Sequence, residues 1–188
     1  MRIVFIHADR MHYRATKKTP YAEPLDEREG GMEECVVLFC CVEEMDGLDR
    51  AAVVGNAARN VLSRMGMIKV ERAIVYPYAH LASDLSDPTT ALKILDDLVD
   101  ALRQAGIEVL RAPFGWYKKF DLSAKGHPLA DLSMTICPYE GTECGPVCPY
   151  CRHPLKPSPA PTGTPQCSGV VQRGETFPGD NHGRKDLR

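Results

Sequence analysis

Two short segments of the chain each carry one ionisable side chain among aromatic and proline residues. Residues 76–81 read Tyr-Pro-Tyr-Ala-His-Leu and contain His80, whereas residues 112–118 end in Lys118. Each segment follows an apolar run typical of a strand, and its proline stiffens the chain where that strand ends. A histidine and a lysine at neighbouring strand ends would form a small polar pocket with a rigid frame. Such a pocket is suited to positioning a small substrate and to shifting a pKa.

Simpler interpretations of these residues stay open at this point. His80 would equally serve as a structural histidine, and Lys118 would be an ordinary exposed residue if Lys119 faced the pocket instead. Strand alternation places the two lysines on opposite faces, so one of them points to the functional side of the sheet. Asp131 lies inside an apolar run, where a carboxylate needs a partner such as a lysine or a histidine across the sheet. The sequence contains no Ser-His-Asp or Cys-His triad spacing and no glycine-rich phosphate loop.

A group of late cysteines offers a second kind of chemistry. Their spacing resembles that of a zinc site and involves Cys144, Cys148, Cys151 and His153, with Cys137 or Cys167 as an alternative fourth ligand. Cys148 and Cys151 also match a dithiol redox motif. That chemistry requires a helix after the first thiol, and the prolines that follow prevent one. Unliganded thiols are the third interpretation, whereas Cys35, Cys40 and Cys41 are interpreted as buried small hydrophobic residues.

The overall composition is typical of a globular domain. The chain has 188 residues, of which 44% are hydrophobic and 26% are charged. Because the formal net charge is -2, any contact with nucleic acid must come from a local basic patch. The apolar start is too short for a signal peptide, and no run approaches the ~18 apolar residues of a membrane span. We therefore expect a cytoplasmic protein that is not embedded in a membrane.

The character of the chain changes near Cys137. Nine of the 15 prolines follow that residue, in a region with almost no periodic apolar pattern. Proline-rich segments of this kind form extended linkers rather than a packed core. We expect a folded domain over residues 1–137 and an irregular Cys/Pro-rich tail over residues 138–188, which carries the candidate zinc-binding segment and a linker.

The pattern within residues 1–137 predicts an α/β (α+β) fold. Strands and helices are expected in the order β–β–α–β–α–β–β–β, with a long charged loop, or a hairpin, at residues 9–31. The strands are predicted at 2–8, 35–42, 70–76, 107–110, 115–122 and 129–136, and the helices at 46–66 and 87–106. This order implies a mixed β-sheet with the two helices packed on one face.

Taken together, six segments resemble a known family. They occur in the family's order and lie at residues 1–9, 31–34, 42–43, 75–81, 112–118 and 125–133. The chain from residue 1 to about residue 138 resembles the N-terminal editing domain of archaeal threonyl-tRNA synthetase. The resemblance implies the fold that this domain shares with D-aminoacyl-tRNA deacylase.

The resemblance also implies an activity, namely hydrolysis of serine wrongly esterified to threonine tRNA. Serine lacks only one methyl group of threonine, a difference worth ~1–3 kcal/mol, so a synthetase needs a second pocket to remove it. The resemblance implies no cofactor, because the ribose hydroxyl at the tRNA acceptor end assists the attacking water. It places Lys118 near the scissile ester and His80 in the pocket. The expected catalytic residues are Lys118, His80, Asp131 and Tyr117. The resemblance assigns walls and backbone contacts of the pocket to Val42, Pro77, Ala79, Phe114 and Tyr117.

Two positions depart from the family pattern. Asp131 stands where a glutamate is expected, which keeps the carboxylate but shortens its reach, and Trp116 stands where a tyrosine is expected. The resemblance further implies a homodimer that works with a threonyl-tRNA synthetase catalytic domain, either separate or fused. Because the Cys/Pro-rich tail follows where a synthetase is expected, we interpret the chain as either an excised piece or a free-standing editor.

Two other functions compete with this interpretation. A D-aminoacyl-tRNA deacylase would share the fold but use a pocket other than one built on His80 and Lys118. A zinc-bearing tRNA-binding module without activity would depend on the late cysteines, and its pocket would be vestigial. Removal of the tail distinguishes the two kinds of protein, because an editing enzyme would keep its hydrolysis and a zinc-bearing module would lose its function.

Overall fold

A computed structural model describes residues 1–138 of the chain. One sheet contains all the strands: β1 (Arg2–Lys18), β2 (Glu29–Cys41), β3 (Arg72–Pro77), β4 (Glu108–Arg111), β5 (Trp116–Ala124) and β6 (Asp131–Thr135). Two helices, α1 (Arg50–Ile68) and α2 (Pro88–Gln104), connect β2 to β3 and β3 to β4. The predicted mixed sheet with two helices is therefore confirmed. The predicted tail, with its zinc segment, lies outside the described residues.

The order of strands across the sheet is β4-β3-β2-β1-β5, and β6 also pairs with β1. Strands β2, β3 and β4 are parallel, whereas β1 is antiparallel to β2, β5 and β6. Parallel strands joined by helices end at the same edge of a sheet, which is where binding sites form in such folds. The segments that follow β2 and β3 therefore meet beside each other.

Both helices begin at an aspartate and pack on one face of the sheet. Asp49 accepts a hydrogen bond from the Ala52 amide and Asp87 accepts one from the Thr90 amide, each at 3.0 Å, as helix caps do. The first helix was predicted to begin at residue 46, which is wrong. Asp46 lies in a 3-10 turn over Glu44–Leu48, where its buried carboxylate accepts hydrogen bonds from the Glu43 amide at 2.7 Å and the Met1 ammonium at 2.6 Å.

Of the two structures predicted for residues 9–31, a charged loop or a hairpin, the hairpin is confirmed. Strand β1 continues to Lys18 and β2 begins at Glu29, so a long antiparallel hairpin takes the place of the loop. Alternate residues of the extension are buried, namely Met11, Tyr13 and Ala15, while their neighbours are exposed. This period of two is the pattern of a strand with one buried face.

The other face of the sheet carries an aromatic cluster that β5 covers. The register between β1 and β5 shifts near Ala8 and again near Ala15, and such bulges bend a strand pair. Phe120 of β5 lies with its ring centre 5.6 Å from that of Phe39 and 5.7 Å from that of Tyr76. The curved hairpin and β5 thus enclose space above the ends of β2 and β3. Within residues 1–138, no helix is both long and apolar enough to cross a membrane.

A buried histidine pair predicts how the stability of this fold depends on pH. His7 is 7% exposed, and its Nδ1 lies 2.7 Å from Nε2 of His127, while its own Nε2 has no partner within the described part of the chain. Burial lowers the pKa of His7 from its ordinary value of 6.5, and the neighbouring His127 and Lys125 lower it further. The neutral form is therefore favoured in the folded protein.

Because the pKa is lowered on folding, the contribution of His7 to stability is complete above pH 6.5 and is lost as the pH falls below that value. We expect the free energy of unfolding, measured with urea between about pH 8 and about pH 5, to fall less steeply for His7→Gln than for the unchanged protein. The difference between the two proteins isolates His7 from carboxylates that titrate in the same range. Parallel curves would show that His7 binds protons equally in both states.

Candidate functional site

A cavity of about 430 Å³ opens where the chain leaves β2 and β3 and enters β5. Its walls are mostly apolar and aromatic, with few polar groups, as is usual for small-molecule sites. The structure brings together most of the residues proposed from the sequence: Val42, Pro77, Ala79, His80, Phe114, Tyr117 and Lys118. The sequence did not identify Tyr21 of the hairpin connection or Pro88 and Ala91 of α2, which also line the cavity.

Lys118 is the basic group held inside this apolar frame. Its Nζ donates hydrogen bonds to the carbonyl oxygens of Pro113 at 2.8 Å and Trp116 at 3.0 Å. The same atom lies 4.8 Å from the centre of the Tyr76 ring, within the range of a cation–π contact. An ammonium group has three donors, so one remains for a ligand. Of the two lysines left open by strand alternation, Lys118 therefore faces the cavity and Lys119 is exposed.

Burial lowers the pKa of Lys118 from 10.5 to about 8. The positive charge of Arg111 contributes to this lowering of the pKa, and the negative charge of Glu23 opposes it. At neutral pH the side chain is still mostly an ammonium, but it is close to its titration range. A pKa displaced in this way inside a cleft is a common property of functional lysines.

An ion pair that the sequence did not reveal holds the segment that carries the Pro113 and Trp116 carbonyls. The Glu23 carboxylate accepts two hydrogen bonds from Arg111, both at 2.7 Å, and one from the Phe114 amide at 2.6 Å. The Trp116 indole donates to the Glu23 carbonyl at 2.9 Å. The hairpin connection is thereby fixed to the turn between β4 and β5. Because Glu23 and Arg111 lie 88 residues apart, no local pattern could have paired them.

Gly115 lies at the centre of that turn in a conformation that favours glycine. Its φ is +73°, and its carbonyl accepts hydrogen bonds from the Thr19 amide at 2.9 Å and the Thr19 hydroxyl at 2.7 Å. A Cβ at this position would lie 2.4 Å from the Tyr21 carbonyl oxygen. Only glycine at this position therefore lets the turn approach the hairpin connection so closely.

His80 lies at the rim of the cavity on a short 3-10 turn over Ala79–Leu81. It is exposed, and its ring meets that of Tyr78 edge to face with 5.1 Å between the centres. An exposed imidazole next to Tyr78 can reorient toward a ligand and can donate or accept a hydrogen bond. The geometry is that of a pocket residue rather than of a buried structural histidine.

The floor of the cavity carries two thiols, Cys40 and Cys41, both of which are buried. Burial raises the pKa of each thiol above its ordinary value. A thiol in that state is a poor nucleophile at neutral pH. The structure thus supports their interpretation as small hydrophobic residues and gives them no part in covalent catalysis.

Asp131 does not join the cavity within one chain. It lies on β6 opposite Ile6, whereas Lys118 lies opposite Ala15, so nine strand residues of β1, roughly 30 Å, separate their partners. Its side chain is exposed, so the expectation of a buried carboxylate with a basic partner is wrong. The sheet places β6 beyond the end of β5 on the same side of β1, which moves Asp131 away from the pocket.

The residues proposed as zinc ligands, Cys144, Cys148, Cys151 and His153, lie outside the described residues. Within residues 1–138, no group of three or more His, Cys, Asp or Glu side chains is arranged to hold a metal ion. Cys137, the alternative fourth ligand, is buried near the end of this region.

Comparison with known proteins finds a family model and several relatives that match about three quarters of this chain. The model of a family described as the Archaea-specific editing domain of threonyl-tRNA synthetase matches residues 1–136. The chain is 44% identical to a threonine–tRNA ligase of Methanopyrus kandleri over 146 residues, which are 76% of this chain and 23% of that protein. It is 46% identical to a ligase of the same name from Methanococcus maripaludis and 43% identical to one from Methanocaldococcus jannaschii. Each of these alignments spans 136 residues, 72% of this chain and 22% of the relative. The chain thus spans less than a quarter of the length of these relatives.

Proposed function

The chain belongs to the Archaea-specific editing-domain family of threonyl-tRNA synthetase, and from this we propose that its pocket hydrolyses the ester bond of L-serine mischarged on threonine tRNA. The observation that carries the proposal is the half-buried ammonium of Lys118, the one lysine or arginine among the described residues that line a mostly apolar cavity. One of its three donors is free to bind an ester carbonyl or a serine hydroxyl. The proposal therefore gives Lys118 the central role.

The size of the cavity fits an aminoacyl group together with the end of the tRNA. Its volume of about 430 Å³ lies in the range of pockets that hold drug-sized ligands. Serine alone would leave much of that space empty, so the terminal ribose enters with it. Val42 and Phe114 would narrow the part that receives the side chain. The extra methyl group of threonine would then be excluded by steric overlap, which a pocket for the smaller amino acid can do.

In the proposed reaction a water molecule adds to the ester carbonyl carbon. The bond from that carbon to the ribose oxygen then breaks, the ribose oxygen takes a proton, and free serine and tRNA are released. Negative charge develops on the carbonyl oxygen, where the Lys118 ammonium would stabilise it. The neighbouring ribose hydroxyl of the tRNA would orient the water and relay a proton, accepting one from the water while passing its own to the leaving ribose oxygen. Tyr117 and His80 at the rim would position the acceptor end.

Asp131 bears on the proposal that the protein works as a homodimer. A carboxylate roughly 30 Å away along β1 cannot act in the pocket of its own chain. We infer that, if Asp131 takes part in the reaction, it is supplied by a second copy. Mixing inactive Lys118→Ala and Asp131→Asn chains should then restore activity, because a mixed dimer contains one intact site. Failure of the mixture to recover activity would show that Asp131 is not supplied by the second copy.

The test of the proposed function uses three esters on the same threonine tRNA. In single-turnover reactions with excess protein, we expect L-serine to be released at least about tenfold faster than L-threonine, the scale of discrimination that one methyl group supports. D-serine should be released no faster than without protein. Preferential release of D-serine would instead establish a D-aminoacyl-tRNA deacylase.

The same assay separates the non-catalytic alternative. A chain ending at residue 138 should keep the hydrolysis of seryl-tRNA, because every residue that lines the described cavity lies before that point. A zinc-bearing tRNA-binding module would lose its function with the tail. On the proposed function the protein acts on aminoacyl-tRNA in the cytoplasm, together with a threonyl-tRNA synthetase catalytic domain that is either fused or separate.

A further inference from the structure

A cluster of lysines lies beside the pocket entrance. Half of the other lysines and arginines among residues 1–138 are paired with carboxylates, as Arg14 is with Glu29 and Arg72 is with Glu108. By contrast, the structure places no carboxylate within ion-pair distance of Lys17, Lys18 or Lys119 among residues 1–138. All three are exposed. We call these three residues the basic strip.

Strand pairing fixes the basic strip against the pocket. Lys17 lies opposite Tyr117 and Lys18 lies opposite Trp116, in the last pairs between β1 and β5. Lys119 follows Lys118 by one residue, so alternation turns it to the same outer face as Tyr117. Tyr117 and Trp116 both line the cavity. By the same alternation Lys17 lies on that outer face and Lys18 lies on the opposite one. The strip therefore begins at the pocket rim, and Lys17 and Lys119 continue it along the outer face of the β1–β5 pair.

Exposed aromatic rings accompany the lysines. Tyr117 is 60% exposed and Tyr21, on the opposite rim, is 65% exposed, which is unusual for side chains of this size. Proteins that bind single-stranded nucleic acid commonly combine basic side chains with exposed aromatic rings, because the rings stack on bases while the ammonium groups bind phosphates. Of the acidic side chains nearest along the strands, Glu29 binds Arg14 and Asp121 lies opposite His12.

We propose that the basic strip binds the phosphates of the single-stranded acceptor end of tRNA and directs its terminal nucleotide into the pocket. The inference rests on the proposed function for the identity of the RNA, and it adds the path by which that RNA arrives. It also explains how a chain with a formal net charge of -2 holds a polyanion, since the positive charge is concentrated at one edge. Tyr117 would stack on a base at the point where the path turns inward.

The test measures binding of uncharged threonine tRNA, a readout that does not depend on hydrolysis. The variant is the full chain with Lys17→Gln and Lys119→Gln together. The matched control is Lys69→Gln with Lys93→Gln, which removes the same charge from two exposed lysines at the end of α1 and on α2. Affinity is measured at several salt concentrations, with tRNA that carries or lacks its last four nucleotides.

We expect the strip variant to bind intact tRNA roughly tenfold more weakly than the control at about 0.1 M salt, with a salt slope smaller by about 1.4. On tRNA without its last four nucleotides, the strip variant and the control should bind equally. Equal binding of intact tRNA by the two proteins would overturn the proposal. So would a difference that persists on the shortened tRNA, because the strip would then contact another part of the molecule. Absent hydrolysis with the expected binding would count against the proposed function alone.

Discussion

Replacing Lys118 by alanine should slow the release of serine from threonine tRNA by roughly 100- to 1,000-fold, the effect of losing one buried donor that stabilises a developing negative charge. The structure places no second cation in the described cavity to substitute for it. The measurement is the single-turnover rate of serine release at saturating protein. Lys93→Ala serves as the control, since it removes an exposed lysine on the outward side of α2. An unchanged rate for Lys118→Ala would remove this residue from the mechanism.

The alanine variant should remain folded. Because the pKa of Lys118 is lowered to about 8 in the folded protein, its ammonium form is less favourable there than in the unfolded chain. Below pH 8 the charge therefore costs stability, and its removal relieves that cost. Loss of activity with an unchanged circular dichroism spectrum would then report on chemistry rather than on unfolding.

The pKa of Lys118 also sets an expected pH dependence. The ammonium is the form that donates to the carbonyls and to a ligand, so the part of the rate that depends on the protein should decline above about pH 8. Spontaneous ester hydrolysis accelerates with pH and is subtracted from each measurement. A rate that rises through pH 8 and levels off would instead assign Lys118 the role of a general base.

Gly115→Ala should have the second large effect, this time on the fold around the pocket. The added Cβ would lie 2.4 Å from the Tyr21 carbonyl oxygen and 2.6 Å from the Ala22 Cα, and neither is the end of a flexible side chain. The positive φ of 73° adds strain for any L-residue. Together these terms should lower the free energy of unfolding by about 2–4 kcal/mol.

Activity should fall as well, because Gly115 lies between the two carbonyls that hold Lys118. Displacement of this turn would move both the Pro113 and the Trp116 acceptors. Gly66→Ala is the matched control, since its Cβ would meet nothing within 4 Å and it lies within α1, where alanine is favoured. Urea unfolding and the serine-release assay check both effects. A Gly115→Ala protein within about 0.5 kcal/mol of the unchanged one would show that the turn adapts.

Much of this site could be predicted from local sequence patterns. The apolar runs before Tyr76 and Ala112 identified β3 and β4, and parallel strands necessarily end at one edge of a sheet. Placing Lys118 rather than Lys119 in the pocket required the register between β1 and β5, which strand alternation alone does not fix. The charged residues of the hairpin left a loop and a hairpin as alternatives, and the period of two in Met11, Tyr13 and Ala15 is the local pattern that favours the hairpin.

The features that escaped prediction depend on contacts distant in sequence. The bond between Glu23 and Arg111, and the approach of Gly115 to Tyr21, each join the hairpin connection to a turn about 90 residues later. The apolar neighbours of Asp131 predicted a buried position for its carboxylate. In the structure β6 pairs with the first residues of β1, away from the pocket, so the exposure of Asp131 depends on sheet topology rather than on local pattern. Tertiary arrangement therefore decides which of the polar residues reach the pocket.

On the proposed function, the pocket around Lys118 removes serine and spares threonine. The most direct measurement is the single-turnover release of each amino acid from the same threonine tRNA, with the Lys118→Ala protein as the reference in both reactions. We expect rapid loss of serine, slow loss of threonine, and little acceleration of either by the variant. Equal release of serine by the unchanged and the Lys118→Ala proteins would contradict this expectation, because the chemistry would then take place outside this pocket.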